Sequence, residues 1–327
     1  MLCAGISGSG VADVSALGSI IIPQMEKKGY PKPFAAAITA ASAIIGPIIP
    51  PSGIMIIYAY VMGESVAALF LAGIVPGILI GVALMVTIKL LANHYNLPDA
   101  LPRASWRDAG RAAGAAFWPL MTPVLLMGGI LSGVFTPTEA AAVAVGYSFF
   151  ISLFILRTLT WRDVPGVLTR AGVTSAVVML LVGAAMAFKT VAALAHTPEL
   201  LASTLLSITE NPLFLLLLVN LLLFIVGMFL DAGPAIIILG PILGPIFASL
   251  GVDPVHFAIV MVVNLTIGLL TPPMGLVLFA TSAVSGLRVE TIARAVIPFL
   301  VVEFAVVLLI TFVPAIPLTL PRLLGFV

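Results

Sequence analysis

An apolar stretch broken by a Pro-Pro pair occurs twice in this chain, at 38–56 (ITAASAIIGPIIPPSGIMI) and at 260–278 (VMVVNLTIGLLTPPMGLVL). Setting Ile45-Gly46 on Ile267-Gly268 brings Pro50-Pro51 onto Pro272-Pro273 and Gly53 onto Gly275, a shift of 222 residues. Just upstream, Asp13 falls on Asp231 and Pro23 on Pro241 at a shift of 218. Each unit is therefore a Gly-rich segment bearing an Asp, a short apolar run, and then the broken stretch. Two consecutive prolines remove two N–H donors and clash with the preceding turn, so neither stretch is one unbroken helix. In lipid the freed carbonyls need partners, which confines such breaks to protein interiors or polar cavities. Paired interrupted segments in the two halves of a chain point to the binding site of a transporter.

The composition requires a membrane setting for these breaks. Of 327 residues, 61% are hydrophobic and 8% charged, against about 25% charged in an ordinary soluble domain. The net charge is +1, and there is no basic stripe interleaved with aromatics, so nucleic acid is not an expected partner. The single cysteine, Cys3, excludes an internal disulfide and a cysteine metal cage. No Walker loop and no nucleophile elbow occur. Residues 1–13 lack the basic and apolar regions of a cleavable signal peptide.

Apolar runs at 33–63, 66–92, 114–134, 138–156, 171–195, 255–285 and 295–316 are long enough to span, since a spanning helix takes about 20 residues. The segment 211–249 reads as a re-entrant hairpin: a long arm at 211–229, a tip at Asp231 and Gly233-Pro234, and a short arm at 235–249. By the repeat, 8–26 holds the tip and second arm of an equivalent hairpin. Its first arm is expected before residue 1, so the chain reads as lacking an N-terminal portion. The organisation predicted is one integral membrane domain: a first repeat at 1–95, a connecting arm with two spans at 96–170, and a second repeat at 171–327. With both hairpins re-entrant, 12 of the 14 Lys and Arg residues fall on one side, among them Lys27, Lys28, Lys32, Lys89, Arg288 and Arg294. The positive-inside rule makes that side cytoplasmic, and the two repeats are then inverted.

The broken helices offer oxygen ligands at mid-membrane. Backbone carbonyls and hydroxyls suit a hard monovalent cation such as Na⁺. Ser42, Gly46, Ile49 and Ser52 supply such oxygens in the first unit; Thr266, Gly268, Thr271 and the Met274 carbonyl do so in the second. The alternative is a proline kink with packing glycines. The tips, Ser7-Gly8-Ser9-Gly10 and Gly227-Met228, let backbone approach whatever lies between the repeats. Asp13 and Asp231 are read as caps of the helices that follow them, with a direct functional role as the alternative for an acid at membrane depth. Glu139, after Thr136 and Thr138, is read as a first-turn helix residue. Glu303 lies inside the last span.

The segments GSGVADVSALGSIIIP, ITAASAIIGPIIPPS, GVFTPTEAAAVAV, GMFLDAGPAIIILGPILGPI and VMVVNLTIGLLTPPMG resemble the large membrane subunit of tripartite ATP-independent periplasmic (TRAP) transporters, over almost the whole chain. The resemblance implies an all-α polytopic membrane protein of the bacterial or archaeal cytoplasmic membrane, with inverted repeats, two hairpins and an elevator motion. It implies Na⁺ as coupling ion and no other cofactor, an organic acid as substrate, and two protein partners: a small membrane subunit and a soluble periplasmic binding protein. It places one Na⁺ site at Gly227, Gly268, Thr271 and Met274. The pseudo-symmetric site falls to Ser9, Ser42, Gly46, Ile49 and Ser52. Gly8, Gly10, Asp13, Asp231 and Gly233 form the tips.

Two rivals stand beside this reading. One is a Na⁺-coupled dicarboxylate carrier that needs no binding protein. The other is an intramembrane aspartyl protease using Asp13 and Asp231 as an acid/base pair, although neither aspartate follows the Gly-x-Gly run usual in such enzymes.

Overall fold

A computed structural model describes residues 8–95, 97–98, 105–195, 200 and 211–327; Ser7 of the expected first tip lies outside them. The described residues contain helices and connecting turns and no strand. In chain order the helices are α1 (Gly10–Asp13) and α2 (Ser19–Lys27), joined by a π-helical turn at Val14–Gly18, then α3 (Lys32–Ala43), α4 (Gly53–Met62), α5 (Val66–Leu91), α6 (Trp106–Leu131), α7 (Pro137–Phe150) and α8 (Val164–Leu194). There follow α9 (Pro212–Phe229), α10 (Ala232–Ser249), α11 (Pro254–Gly268), α12 (Leu276–Ser285), α13 (Val289–Phe312) and α14 (Ala315–Leu323). Among the described residues six stretches are long and apolar enough to cross a membrane: α5, α6, Pro137–Ile155, Val164–Phe188, α10 and α13. This is an all-α polytopic membrane protein.

Local sequence sets the helix starts. Ser65 caps α5 by accepting from Ala68 N, Asn211 caps α9 through Leu213 N, and Asp253 caps α11 through Val255 N and His256 N. A side-chain oxygen at that position satisfies one of the otherwise orphaned first-turn donors. Both half-helices after the breaks end on a left-handed glycine, Gly63 (φ 78°) and Gly286 (φ 71°), where a side chain would be strained.

The chain divides into two compact units. One comprises the described residues 105–184 and carries α6 and α7. There Thr136 and Glu139 form a complete capping box, as expected for a first-turn Glu139. Phe135 packs over Gly129, and Tyr147 donates from its hydroxyl to Trp118 O at 2.9 Å. The other unit holds both broken stretches and both tips.

Within that larger unit the packing respects the repeat. Inside each repeat, the second hairpin arm packs on the helix before the break, α2 on α3 and α10 on α11. Across repeats, the half-helix after each break packs on the other hairpin: α4 on α10, and α12 on the π turn after Asp13. The long helices cross over likewise, α13 on α3 and α5 on α11, with α5 and α13 against one another. Each of these contacts thus has its counterpart under exchange of the two repeats; α14 packs on α5 in addition.

The second hairpin turns the chain back on itself at Asp231. Asn220 bonds to Asn264, and seven residues on Gly227 meets Gly268, so α9 and α11 run parallel and both start at one face. Helix α10 then returns to that face, because Ser249 leads through a short turn into α11. Its 18 residues, about 27 Å at 1.5 Å per residue, begin at Ala232, directly after Asp231, rather than at 235, so this arm is longer than the short arm expected from the sequence. Prolines 241 and 245 lie inside it without ending it. Glu64 and Asp253 sit close enough to interact at this face. At the opposite face Tyr95 packs on Phe34, ring planes tilted by 46° and centroids 5.1 Å apart, and shares a cavity with Arg288 and Arg294. These contacts match the parity derived from the basic residues.

Candidate functional site

Each expected tip lies against a break. At the second, a Cβ added to Gly227 would lie 2.8 Å from Leu265 O and 3.0 Å from Gly268 Cα; one added to Gly268 would lie 2.5 Å from Gly227 Cα. Only two glycines allow backbones this close. Gly275 N donates to Met228 O at 3.1 Å, which ties the tip to the far end of the break. Between them Leu270 N and Thr271 N bond back to Ile267 O and Gly268 O, and Val277 N closes on Leu269 O. Gly275, at φ +50°, makes the turn into α12 with no side-chain cap.

Thr271 is buried and its hydroxyl donates to Ile267 O at 3.1 Å, which leaves the lone pairs of Oγ1 available. The expected ligands Gly227, Gly268 and Thr271 are therefore gathered around one break, with Met274 at its exposed edge. Thr266 sits apart, one half-turn earlier in α11. Its hydroxyl is fully buried and bonds back to Val262 O and Val263 O, each at 2.9 Å.

At the first break, a Cβ on Gly8 would lie 3.3 Å from Pro51 O and 3.4 Å from Gly53 N. Gly10 approaches Ala43 O and, across the repeats, Val277 of α12. Ser52 is fully buried; its hydroxyl donates to Pro47 O and accepts from Met55 N, capping α4. Gly46 is buried and Ile49 packs against Gly77 of α5. Ser42 is displaced from this group. It is exposed, donates to Thr39 O, and lines an open cavity of about 230 Å³ with Asp13, Leu17, Ile38 and Thr39. Both Pro-Pro bonds are cis.

The two aspartates part company. Asp231 is exposed and caps α10 through Ala232 N at 2.8 Å, as read from the sequence; Gly233, buried, packs near Ile57 of α4. Asp13 does not cap. The helix starts four residues earlier, where the Ser9 hydroxyl accepts from Ala12 N, so Asp13 lies inside the helical run at 4% exposure and makes no capping bond. A serine followed by Gly-Val-Ala can close the first turn itself, and that displaces the role from the acid.

Sequence reasoning missed a buried polar seam. Asn220, Asn264 and Thr311, from α9, α11 and α13, are hydrogen-bonded to one another and at most 1% exposed. Two asparagines inside long apolar runs were the available signal. Glu303 of α13 is also fully buried, and neither carboxyl oxygen has a hydrogen-bond partner among the described residues. Among the described residues no group of His, Cys, Asp or Glu could hold a metal.

Comparison with known proteins places these features in one family. A family model described as "Tripartite ATP-independent periplasmic transporter, DctM component" matches residues 1–316. The chain is 44% identical over 325 residues to the C4-dicarboxylate TRAP transporter large permease protein DctM of Pseudomonas aeruginosa, covering 99% of this chain and 76% of that protein. It is 42% identical to the sialic acid TRAP transporter large permease protein SiaM of Vibrio cholerae, covering 100% of this chain and 76% of that one. To the isethionate TRAP transporter permease protein DctMQ of Oleidesulfovibrio alaskensis it is also 42% identical, covering 97% and 50%. These relatives are named as permeases and not as proteases, which closes the aspartyl protease reading. The chain belongs to the DctM family of TRAP transporter large permease proteins, multi-pass proteins of the inner membrane.

Proposed function

We propose that this chain is the transport subunit of a Na⁺-coupled importer of a small organic anion. A soluble periplasmic binding protein delivers the anion, and a small membrane subunit completes the complex. The observation that carries the reading is the tip-to-break contact of Gly227 with Gly268, repeated in form at Gly8 and Pro51–Gly53. It brings backbone carbonyls and the Thr271 hydroxyl together at the middle of a broken helix, the setting in which transporters hold Na⁺. The two half-helices α4 and α12 present their N-terminal, positive ends near the same level, which favours an anion between the repeats. An elevator displacement of the hairpins with the broken helices fits this division of the chain.

The names of the relatives support a small organic anion as substrate. C4-dicarboxylate, sialic acid and isethionate are all small organic anions, and isethionate carries a sulfonate, so the class is wider than the carboxylates expected from the sequence. The family description is itself tripartite and periplasmic, which favours delivery by a binding protein over a carrier acting alone. The test is uptake of labelled anion by the complete transporter in proteoliposomes, with and without its binding protein, under a Na⁺ or an equal K⁺ gradient. Uptake should require both the binding protein and Na⁺. Uptake from free anion alone would return the function to a binding-protein-independent carrier.

A further inference from the structure

The seam of Asn220, Asn264 and Thr311 lies beside the second break, and of its side-chain polar atoms only Asn264 Oδ1 has no hydrogen-bond partner among the described residues. Asn264 Nδ2 donates to Asn220 Oδ1 and to Val260 O. Asn220 Nδ2 donates to Thr311 Oγ1 at 3.0 Å and to Leu216 O at 2.9 Å. Thr311 Oγ1 in turn lies 2.8 Å from Val307 O as donor. All four amide hydrogens are therefore used, and the two asparagines are 0% exposed.

Helical spacing links this seam to the site. Asn220 precedes Gly227 by seven residues on α9, and Asn264 precedes Gly268 by four on α11. Both intervals return to the same helix face. The amide pair and the Gly227–Gly268 contact are therefore two points of one α9–α11 interface, about one to two turns apart. A buried asparagine pair fixes axial register, because sliding either helix strands amide groups with no water to replace the lost partners. Thr311 adds a third helix and fastens the pair to α13, which also holds α11 through the His256 ring and Ile310 O at 3.0 Å.

We propose that Asn220, Asn264 and Thr311 are positioning residues: a polar clamp that holds the second hairpin tip in register against the second break and so sets the spacing of the oxygens there. The proposal rests on the Na⁺-site reading only for its functional readout. Its geometric readout is independent.

The test uses the complete transporter with Cys3 replaced and Met228→Cys introduced at the tip. In that background Thr311→Val and Asn264→Leu remove clamp hydrogen bonds at similar volume, and Thr311→Ser keeps the hydroxyl. With the clamp broken, Met228→Cys should react several-fold faster with a thiol reagent, and the Na⁺ concentration for half-maximal uptake should rise several-fold. Thr311→Ser should restore both, and Asn220→Leu combined with Asn264→Leu should be no worse than either alone, as one network requires. Unchanged labelling rates in the Val and Leu variants would overturn the clamp. Faster labelling in a transporter whose uptake ignores Na⁺ would leave the clamp standing and remove the Na⁺ reading. Lower yield with unchanged labelling and Na⁺ activation would reduce the three residues to general stability.

Discussion

Gly268→Ala adds one methyl group where two backbones meet. The new Cβ would stand 2.5 Å from Gly227 Cα, 2.6 Å from its carbonyl carbon and 3.0 Å from its oxygen. Ordinary contact begins at 3.4 Å, so the tip and the break must separate by about 1 Å, and no flexible side chain is present to give way. Overpacking of this kind costs about 1–3 kcal/mol, and alanine's helix propensity offsets at most about 1 kcal/mol of it. Gly53→Ala is the matched control. Gly53 opens α4 with nothing within 4 Å of a new Cβ and without a positive φ, so the substitution is neutral or stabilises by about 0.4–1 kcal/mol. The assay is thermal unfolding of the purified complex, together with Na⁺-driven uptake. Gly268→Ala should lower the unfolding temperature and weaken Na⁺ activation while Gly53→Ala does neither. Wild-type behaviour of Gly268→Ala in both measurements would refute the close approach and the site built on it.

Other expectations follow from the same geometry. Cysteines at Lys28 and Ser249 in a Cys3-free protein should report the orientation: an impermeant thiol reagent on intact cells should label Ser249→Cys and spare Lys28→Cys, and the reverse pattern would invert the topology. Asp231→Asn should be mild, because an amide oxygen still caps α10, whereas Asp231→Ala should cost about 0.5–2 kcal/mol; equal loss of transport with both at normal expression would mean that the charge itself is used. Burial, with the Asp253 charge beside it, holds the Glu64 carboxyl above the usual carboxylate range. The folded protein therefore binds that proton more tightly than the unfolded chain, so stability falls as pH rises just above the ordinary carboxylate range and the loss is complete above the folded-state value. Glu64→Gln should flatten that part of the stability–pH curve, and an unchanged curve would show that Glu64 carries no such coupling.

The broken helices, the helical hairpin around Asp231 and the Gly227–Gly268–Thr271 cluster were legible because they rest on local chemistry. Proline pairs, glycines and apolar length act through the backbone and repeat along the chain. Asp13 was misread for a local reason too: an acid before an apolar run looks like a cap, but Ser9 reaches the first turn sooner. Helix α10 reads from the sequence as starting at 235 because Gly233-Pro234 looks like part of the tip, whereas Asp231 caps the helix and both residues lie in its first turn. The Asn220–Asn264–Thr311 seam was not legible as a unit, since its members stand up to 91 positions apart and nothing in a single apolar run states which other run it faces. Ser42 and Thr266 carry the right functional group, but the face of a helix on which each hydroxyl falls is settled only by tertiary packing.

Thr271→Val tests the central claim most directly. It keeps the shape of the side chain and removes the only hydroxyl between Leu269 and Met274, one that is 7% exposed and bonded only to Ile267 O among the described residues. In the reconstituted complete transporter, supplied with its binding protein and a saturating anion, the Na⁺ concentration for half-maximal uptake should rise at normal expression. The same half-activation as wild type would contradict the assignment of a Na⁺ site to the second broken helix.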